Sequence, residues 1–365
     1  MKRRDFISGV GAGAVATGLA ACSAETQPST ASDAAPQQTY NWKMVTTWPP
    51  NFPALGTGAN ELAQNIEAMS NGQIKIKVYG SGELVPAFEA FDAVSRGTAD
   101  IGHAASYYWK GKNPAIQLFC TSPFGMNAQE MNAWLYFGGG MELWREIYAP
   151  FNLIPFPLGN TGTQMGGWFN KEINSVADLK GLKMRIPGFG GEVLQRAGGT
   201  PVNIPGGEIF NALQLGQIDA CEWIGAYNDR AFGFHKAAKY YYSPGWHEPS
   251  ATLEGFFNQD SFNALPPHLQ AIVQQACQAS NVKMLAEFTA RNMESMETLV
   301  NEDGVQLRTF PVEVMDYLRE KTQEVMQDLV AGNKDFAKVY KSYKSFQDRV
   351  SAYHKISEEQ LYRLR

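Results

Sequence analysis

Two rhythms of apolar positions alternate along the chain. Ile74-Lys75-Ile76-Lys77-Val78-Tyr79 switches between apolar and polar with a period of two, which predicts a strand with one exposed face. Before it, Trp42 to Thr47 reads as a strand, Trp48-Pro49-Pro50 as a turn, and Gly58 to Met69 carries helical spacing. Helical patterns then alternate with short apolar runs such as Ile101-Gly102 and Leu153 to Phe156. That order predicts α/β lobes with largely parallel sheets. Pro266 to Val300 is a long helical pattern suited to bridging the lobes, and Val305 to Phe310 reads as a further strand. Val312 to Arg365 predicts two or three charged amphipathic helices, a tail that offers a contact to a second copy of the chain.

An internal echo supports two lobes. Glu89 to Ile101 and Glu208 to Ala220 both read ExFxA[VL]xxGxxD. In each, apolar residues at helical spacing lead to a glycine suited to a helix C-cap, then to an aspartate at the start of a strand. Gly102 to Tyr107 and Glu222 to Tyr227 therefore fall at equivalent places, just past a strand's carboxyl end, where open α/β sheets bind ligands.

The N-terminus follows a different logic. Lys2, Arg3 and Arg4 precede a small-residue apolar run from Phe6 to Ala21, too short for a comfortable membrane span and flanked like an export signal. Arg3-Arg4 resembles a twin-arginine signal, and Leu19-Ala20-Ala21-Cys22 resembles a lipobox in which Cys22 is lipid-modified. Ala24 to Thr39 holds only small, polar, acidic and proline residues, which cannot offset the entropy of ordering, so it reads as a tether. The expected organisation is an export signal over 1–22, a tether over 23–40, one lobe mainly from 41–160 with later segments returning, and a second mainly from 161–260. A bridging helix and strand follow over 261–310, then C-terminal helices over 311–365.

Charge and cysteines narrow the class. The chain has 31 basic against 36 acidic residues, and the leader removes three of the bases, so nucleic acid is not an expected partner. Besides Cys22 there are Cys120, Cys221 and Cys277, an odd number without a CxxC pairing, which indicates neither a disulfide framework nor a zinc knuckle. No GxSxG, HExxH or GxxxxGK[ST] occurs, and the five histidines show no metal-ligand spacing. Cys221 beside Glu222 reads as a buried strand residue, not a nucleophile. An exported metal-dependent enzyme acting on a hydroxy acid is the alternative reading, and no nucleophile-base pair supports it.

The segment from Gly159 to Asp229 holds the candidate chemistry. Arg185 stands between apolar residues and offers a rigid fork matched to a carboxylate, while Gln164 and Glu222 supply hard oxygens for an alkali or alkaline-earth cation. A cation so held would meet the second oxygen of a 2-oxo or 2-hydroxy acid. Trp48, Tyr107 and Phe189 are candidate lining residues.

These residues carry a resemblance. The export signal, Leu179-Lys180-Gly181-Leu182-Lys183-Met184-Arg185 with Pro187, the repeated GxxD units, and Glu222 to Asp229 followed by the Tyr240 to Trp246 run resemble the solute-binding subunits of tripartite ATP-independent periplasmic (TRAP) transporters. The 2-oxo acid and lactate branch is the most similar. The resemblance implies a two-lobe, type II-like periplasmic binding fold with a long bridging helix and helical extension, serving a sodium-driven membrane permease. It implies no enzyme activity. It also implies that Arg185 pairs with the substrate carboxylate and that a metal ion is held by Gln164, Glu222 and the backbone carbonyl of Trp223, with Glu248 as a further acidic position. Sodium is expected over calcium, a balance that turns on whether Glu248 joins the site.

Overall fold

In the computed structural model, residues 38–365 are described. The twin-arginine pair, Cys22 and nearly all of the expected tether lie outside the described residues. The strands are β1 (Tyr40–Thr46), β2 (Ile74–Tyr79), β3 (Ile101–Ala105), β4 (Leu153–Asn160), β5 (Gly167–Phe169), β6 (Lys183–Arg185), β7 (Thr200–Val202), β8 (Ala220–Cys221), β9 (Tyr240–Ser243), β10 (Thr252–Asn258) and β11 (Gln306–Thr309). They form two sheets, ordered β2-β1-β3-β10-β4 and β11-β9-β5-β8-β6-β7.

The sheets are mixed, not largely parallel. β10 runs antiparallel to both β3 and β4, and β5 runs antiparallel to both β8 and β9. These two are the strands that the chain enters directly from the other sheet, through the short links 161–166 and 244–251, with no helix between to reverse its direction. Parallel pairing is kept where a helix intervenes, as between β1 and β2 around the helix Leu55–Met69.

The repeated motif builds the same device in each sheet. Gly97 and Gly216 take left-handed φ values of 77° and 67° after their helices, which only glycine adopts at little cost. The next amides return to Ala93 and Ala212 at 2.8 and 2.9 Å. Asp100 then exchanges two hydrogen bonds with the backbone of Lys43: the Asp100 amide donates to the Lys43 carbonyl at 2.9 Å, and its carboxylate accepts from the Lys43 amide at 2.8 Å. Asp219 makes the same exchange with Lys183, at 2.7 and 3.0 Å. Each aspartate thus sets the register of a parallel pair.

The helix Pro267–Asn301 packs along β4 and against the helix Ala226–Phe232 before the chain reaches β11 at the edge of the second sheet. The tail folds back on the chain. Its helix Val312–Gly332 lies against Gly188–Arg196, with Arg196 paired to Glu324 and Asp328. The helix Lys334–Ile356 covers the first sheet's side, where the Tyr343 hydroxyl accepts from the Met126 amide at 3.0 Å and Ser342 Oγ accepts from Trp134 Nε1 at 3.1 Å. Cys120, Cys221 and Cys277 are free, buried thiols.

Candidate functional site

The two links between the sheets run side by side. The Gln164 amide donates to the Glu248 carbonyl at 3.2 Å, the Gly245 amide to the Gln164 carbonyl at 2.8 Å, and the Thr161 amide to the Ala251 carbonyl at 3.1 Å. A Cβ at Gly245 would stand 2.5 Å from the Gln164 carbonyl oxygen, so glycine permits the approach. Gln164 on one link and Glu248 on the other are thereby brought to the same point. From the second sheet, β6 ends at Arg185, and β8 is followed at once by Glu222 and Trp223. From the first, β3 leads into the short helical turn carrying Tyr107 and Tyr108. The site therefore draws on both sheets and both links.

Arg185 and Glu222 are each 1% exposed and form an ion pair at 2.6 Å. The same Nη1 also donates to the Glu222 carbonyl at 2.9 Å, while Nη2 reaches the Tyr108 hydroxyl at 3.3 Å and Nε the Ile204 carbonyl at 3.3 Å. The guanidinium lies 5.1 Å from the centre of the Trp223 ring. The remaining Glu222 oxygen stands 3.2 Å from His247 Nε2. Gln164 donates through Nε2 to Glu248 at 2.7 Å and to Thr161 at 3.2 Å, and its side-chain oxygen is buried without a partner.

This donor set fits a cation. Glu222, His247 and Glu248 can each offer an atom within 4.8 Å of the others, all three are buried, and the Gln164 oxygen is an unsatisfied neutral acceptor beside them. Burial pushes the Glu248 carboxyl well above the usual range; nearby Glu222 adds to this, and Arg185, Gln164 and Tyr107 oppose it. Burial also raises the Tyr107 phenol, with Glu248 the next cause, and lifts Tyr108 to about 12.

His247 is not legible as a site residue in the sequence. The histidines show no metal spacing there, yet His247 joins the cluster because the link 244–251 crosses beside Glu222, a contact between positions 25 apart in the chain. Its place next to Glu248 was the only local signal. Trp48 stands against Trp223, edge to face at 6.1 Å. Phe189 is buried with its ring against Phe336 of the tail, 5.9 Å away. Cys221 is fully buried and its thiol is pushed well up by burial, which removes it as a nucleophile.

Residues 44–333 match the family described as bacterial extracellular solute-binding protein, family 7. The chain is 42% identical over 360 residues to the monocarboxylate 2-oxoacid-binding periplasmic protein of Nostoc sp., a match covering 98% of this chain and 97% of that one. Its fold is similar to a TRAP periplasmic solute-binding protein from Pseudoalteromonas atlantica solved with bound sodium and pyruvate. That match has a TM-score of 0.87 and 43% identity, and covers 89% of this chain and 99% of the other. A TRAP periplasmic solute-binding protein from Colwellia psychrerythraea, solved with bound calcium and pyruvate, gives a TM-score of 0.86 at 42% identity, covering 90% and 100%. The sheets, the site at their junction and these matches agree: the chain belongs to the family 7 extracellular solute-binding proteins of TRAP transporters, which are extracytoplasmic receptors and not enzymes.

Proposed function

We propose that this receptor captures a small 2-oxo or 2-hydroxy monocarboxylate, such as pyruvate, 2-oxobutyrate or lactate, together with a metal ion, and delivers it to a sodium-driven membrane permease. The observation that carries the reading is the buried Gln164 oxygen without a partner, set beside Glu222 and Glu248. The cation would be held by Gln164, Glu222, Glu248 and the Trp223 carbonyl. When bound, it supplies positive charge to the oxygens of the acid that Arg185 leaves unmet. Tyr107 and Tyr108 would close over the ligand from the first sheet, Trp48 would wall it, and Phe189 would act from behind.

Sodium is favoured over calcium by charge. Arg185 already pairs with Glu222, and burial disfavours the charged form of Glu248, which weighs against the double charge of calcium. Isothermal titration of the signal-less protein, stripped of ligand, with pyruvate, 2-oxobutyrate, lactate and acetate tests the substrate class. One-to-one binding of the first three and not of acetate is expected; tight binding of acetate would overturn the requirement for a second oxygen.

The same reading places the receptor on a membrane surface through a lipid on Cys22, with 23–40 as its tether. Mass spectrometry of the mature protein, showing either a diacylated cysteine or a plain cleaved end, decides it. It also places a second copy against the exposed apolar end of the tail, where Tyr353, Ile356, Tyr362 and Leu364 are uncovered. Sedimentation at micromolar concentration would give a dimer; a monomeric mass would remove that contact.

A further inference from the structure

The first-sheet wall of the site carries polar groups that a carboxylate and a cation do not use. In the reading above Trp48 is part of that wall; its ring stands against Trp223, which itself lies under the Arg185 guanidinium. Trp48 is 2% exposed, yet its indole Nε1 has no hydrogen-bond partner. The neighbouring ring, 5.5 Å away and inclined at 81°, is His103. His103 is fully buried, and its Nδ1 lies 2.9 Å from the Glu254 carbonyl oxygen. A carbonyl only accepts, so Nδ1 carries the proton and Nε2 is an acceptor, also without a partner. Burial lowers the His103 pKa to about 4, which keeps the imidazole neutral near pH 7. Thr47, just past the end of β1, adds a third buried polar atom with no partner, its hydroxyl oxygen.

Buried polar groups are seldom left unpaired unless a ligand or an ordered water takes them. Here one group only donates and the adjacent one only accepts. An alkyl group satisfies neither. A carboxylate has no hydrogen to give Nε2 and would set negative charge against its lone pair, and an ammonium has no lone pair for the indole N–H. A hydroxyl satisfies both at once, accepting from Trp48 and donating to His103. We infer that Trp48 and His103 form a subsite for a single neutral hydroxyl, so that the receptor selects 2-oxo acids bearing a hydroxyl beyond the oxo carbon over their alkyl counterparts. This rests on the carboxylate-receptor reading above and adds the distal half of its specificity.

The test is calorimetric titration of the stripped, signal-less protein with pyruvate, 2-oxobutyrate and 3-hydroxypyruvate. The last two are near-isosteric and differ in a hydroxyl for a methyl. The unaltered protein should bind 3-hydroxypyruvate about tenfold or more tightly than 2-oxobutyrate, since a site built for a hydroxyl strongly rejects the analogue lacking it. The ratio should fall to within about twofold in Trp48→Phe, which removes the N–H with part of the ring volume and keeps an aromatic side chain, and in His103→Phe, whichever of the two folds and binds acid. Pyruvate binding with no preference for the hydroxyl in the unaltered protein would assign the pair to an ordered water and overturn the subsite alone. A preference that survives both substitutions overturns it too. Failure of all three acids to bind would instead bring down the carboxylate-receptor reading, and the subsite with it.

Discussion

Gln164 and Glu248 stand 84 positions apart in the chain, yet their side chains meet at 2.7 Å where the two links between the sheets run side by side. The contact uses only half of Gln164. Its nitrogen is engaged and its oxygen is free for a cation. Gln164→Leu should therefore abolish the dependence of ligand binding on metal and weaken binding by about ten- to a hundredfold. It also strands Glu248 without its donor, a loss of about 1–3 kcal/mol of stability. Titration with and without sodium, alongside urea denaturation, reads both effects.

Arg185 and Glu222 make a pair whose role in stability separates from its role in binding. Arg185→Met alone leaves a buried, uncompensated carboxylate and should cost about 3–5 kcal/mol. The double replacement Arg185→Met with Glu222→Met removes both charges and should recover most of that stability, while ligand binding stays lost. Denaturation midpoints and calorimetry on the same samples check this. Binding that returns with stability in the double variant would mean that neither residue meets the ligand.

The ligand-free protein should lose stability as the pH rises from about 4 to about 8. Asp229 is fully buried, accepting from Tyr241, Trp168 and the Ile224 amide, and burial raises its pKa from 3.8 to about 7. Glu254, accepting from Trp109 and Tyr148 at 2.6 Å each, is raised by burial from 4.5 to about 8. Between the unfolded and folded values the native state holds protons that the unfolded chain has released, so stability falls with pH and levels off above both, while His103, lowered by burial from 6.5 to about 4, offsets part of the fall below about pH 6.5. Urea denaturation at pH 5, 6.5 and 8 should show the decline, and Glu254→Gln should flatten its upper part.

The repeated aspartates predict a matched pair of variants. Asp100→Ala and Asp219→Ala each break the exchange with a neighbouring strand's lysine backbone and should each cost about 1–2 kcal/mol. They lie in different sheets, so their effects should add. Asp100 also accepts from the Ser261 hydroxyl at 2.7 Å, which should make it the costlier of the two.

That repeat shows what the sequence made legible. The spacing of Glu89 to Ile101 and Glu208 to Ala220 is local, and so are helix spacing, the glycine caps and the long helix, which runs Pro267–Asn301 where the pattern placed it at Pro266 to Val300. Strand direction was not local. β10 and β5 run against their neighbours because of where the chain crosses between sheets, which no short window records. β8 has two residues, too short for any periodicity, although it positions Glu222. Among the site residues, Arg185 and Glu222 were conspicuous as charges amid apolar neighbours, whereas His247 and Tyr108 enter only through pairings that depend on the folded chain.

In the proposed function a cation and a carboxylate are bound together between Gln164, Glu222, Glu248 and Arg185. The most direct test is calorimetric titration of the stripped, signal-less protein with pyruvate over a graded series of sodium concentrations at constant ionic strength, with calcium chelated. If the two are bound together, pyruvate affinity rises in proportion to sodium until the cation site saturates, and Gln164→Leu shows no such rise. Pyruvate affinity that stays the same from sodium-free buffer to high sodium, with calcium chelated, would contradict joint binding.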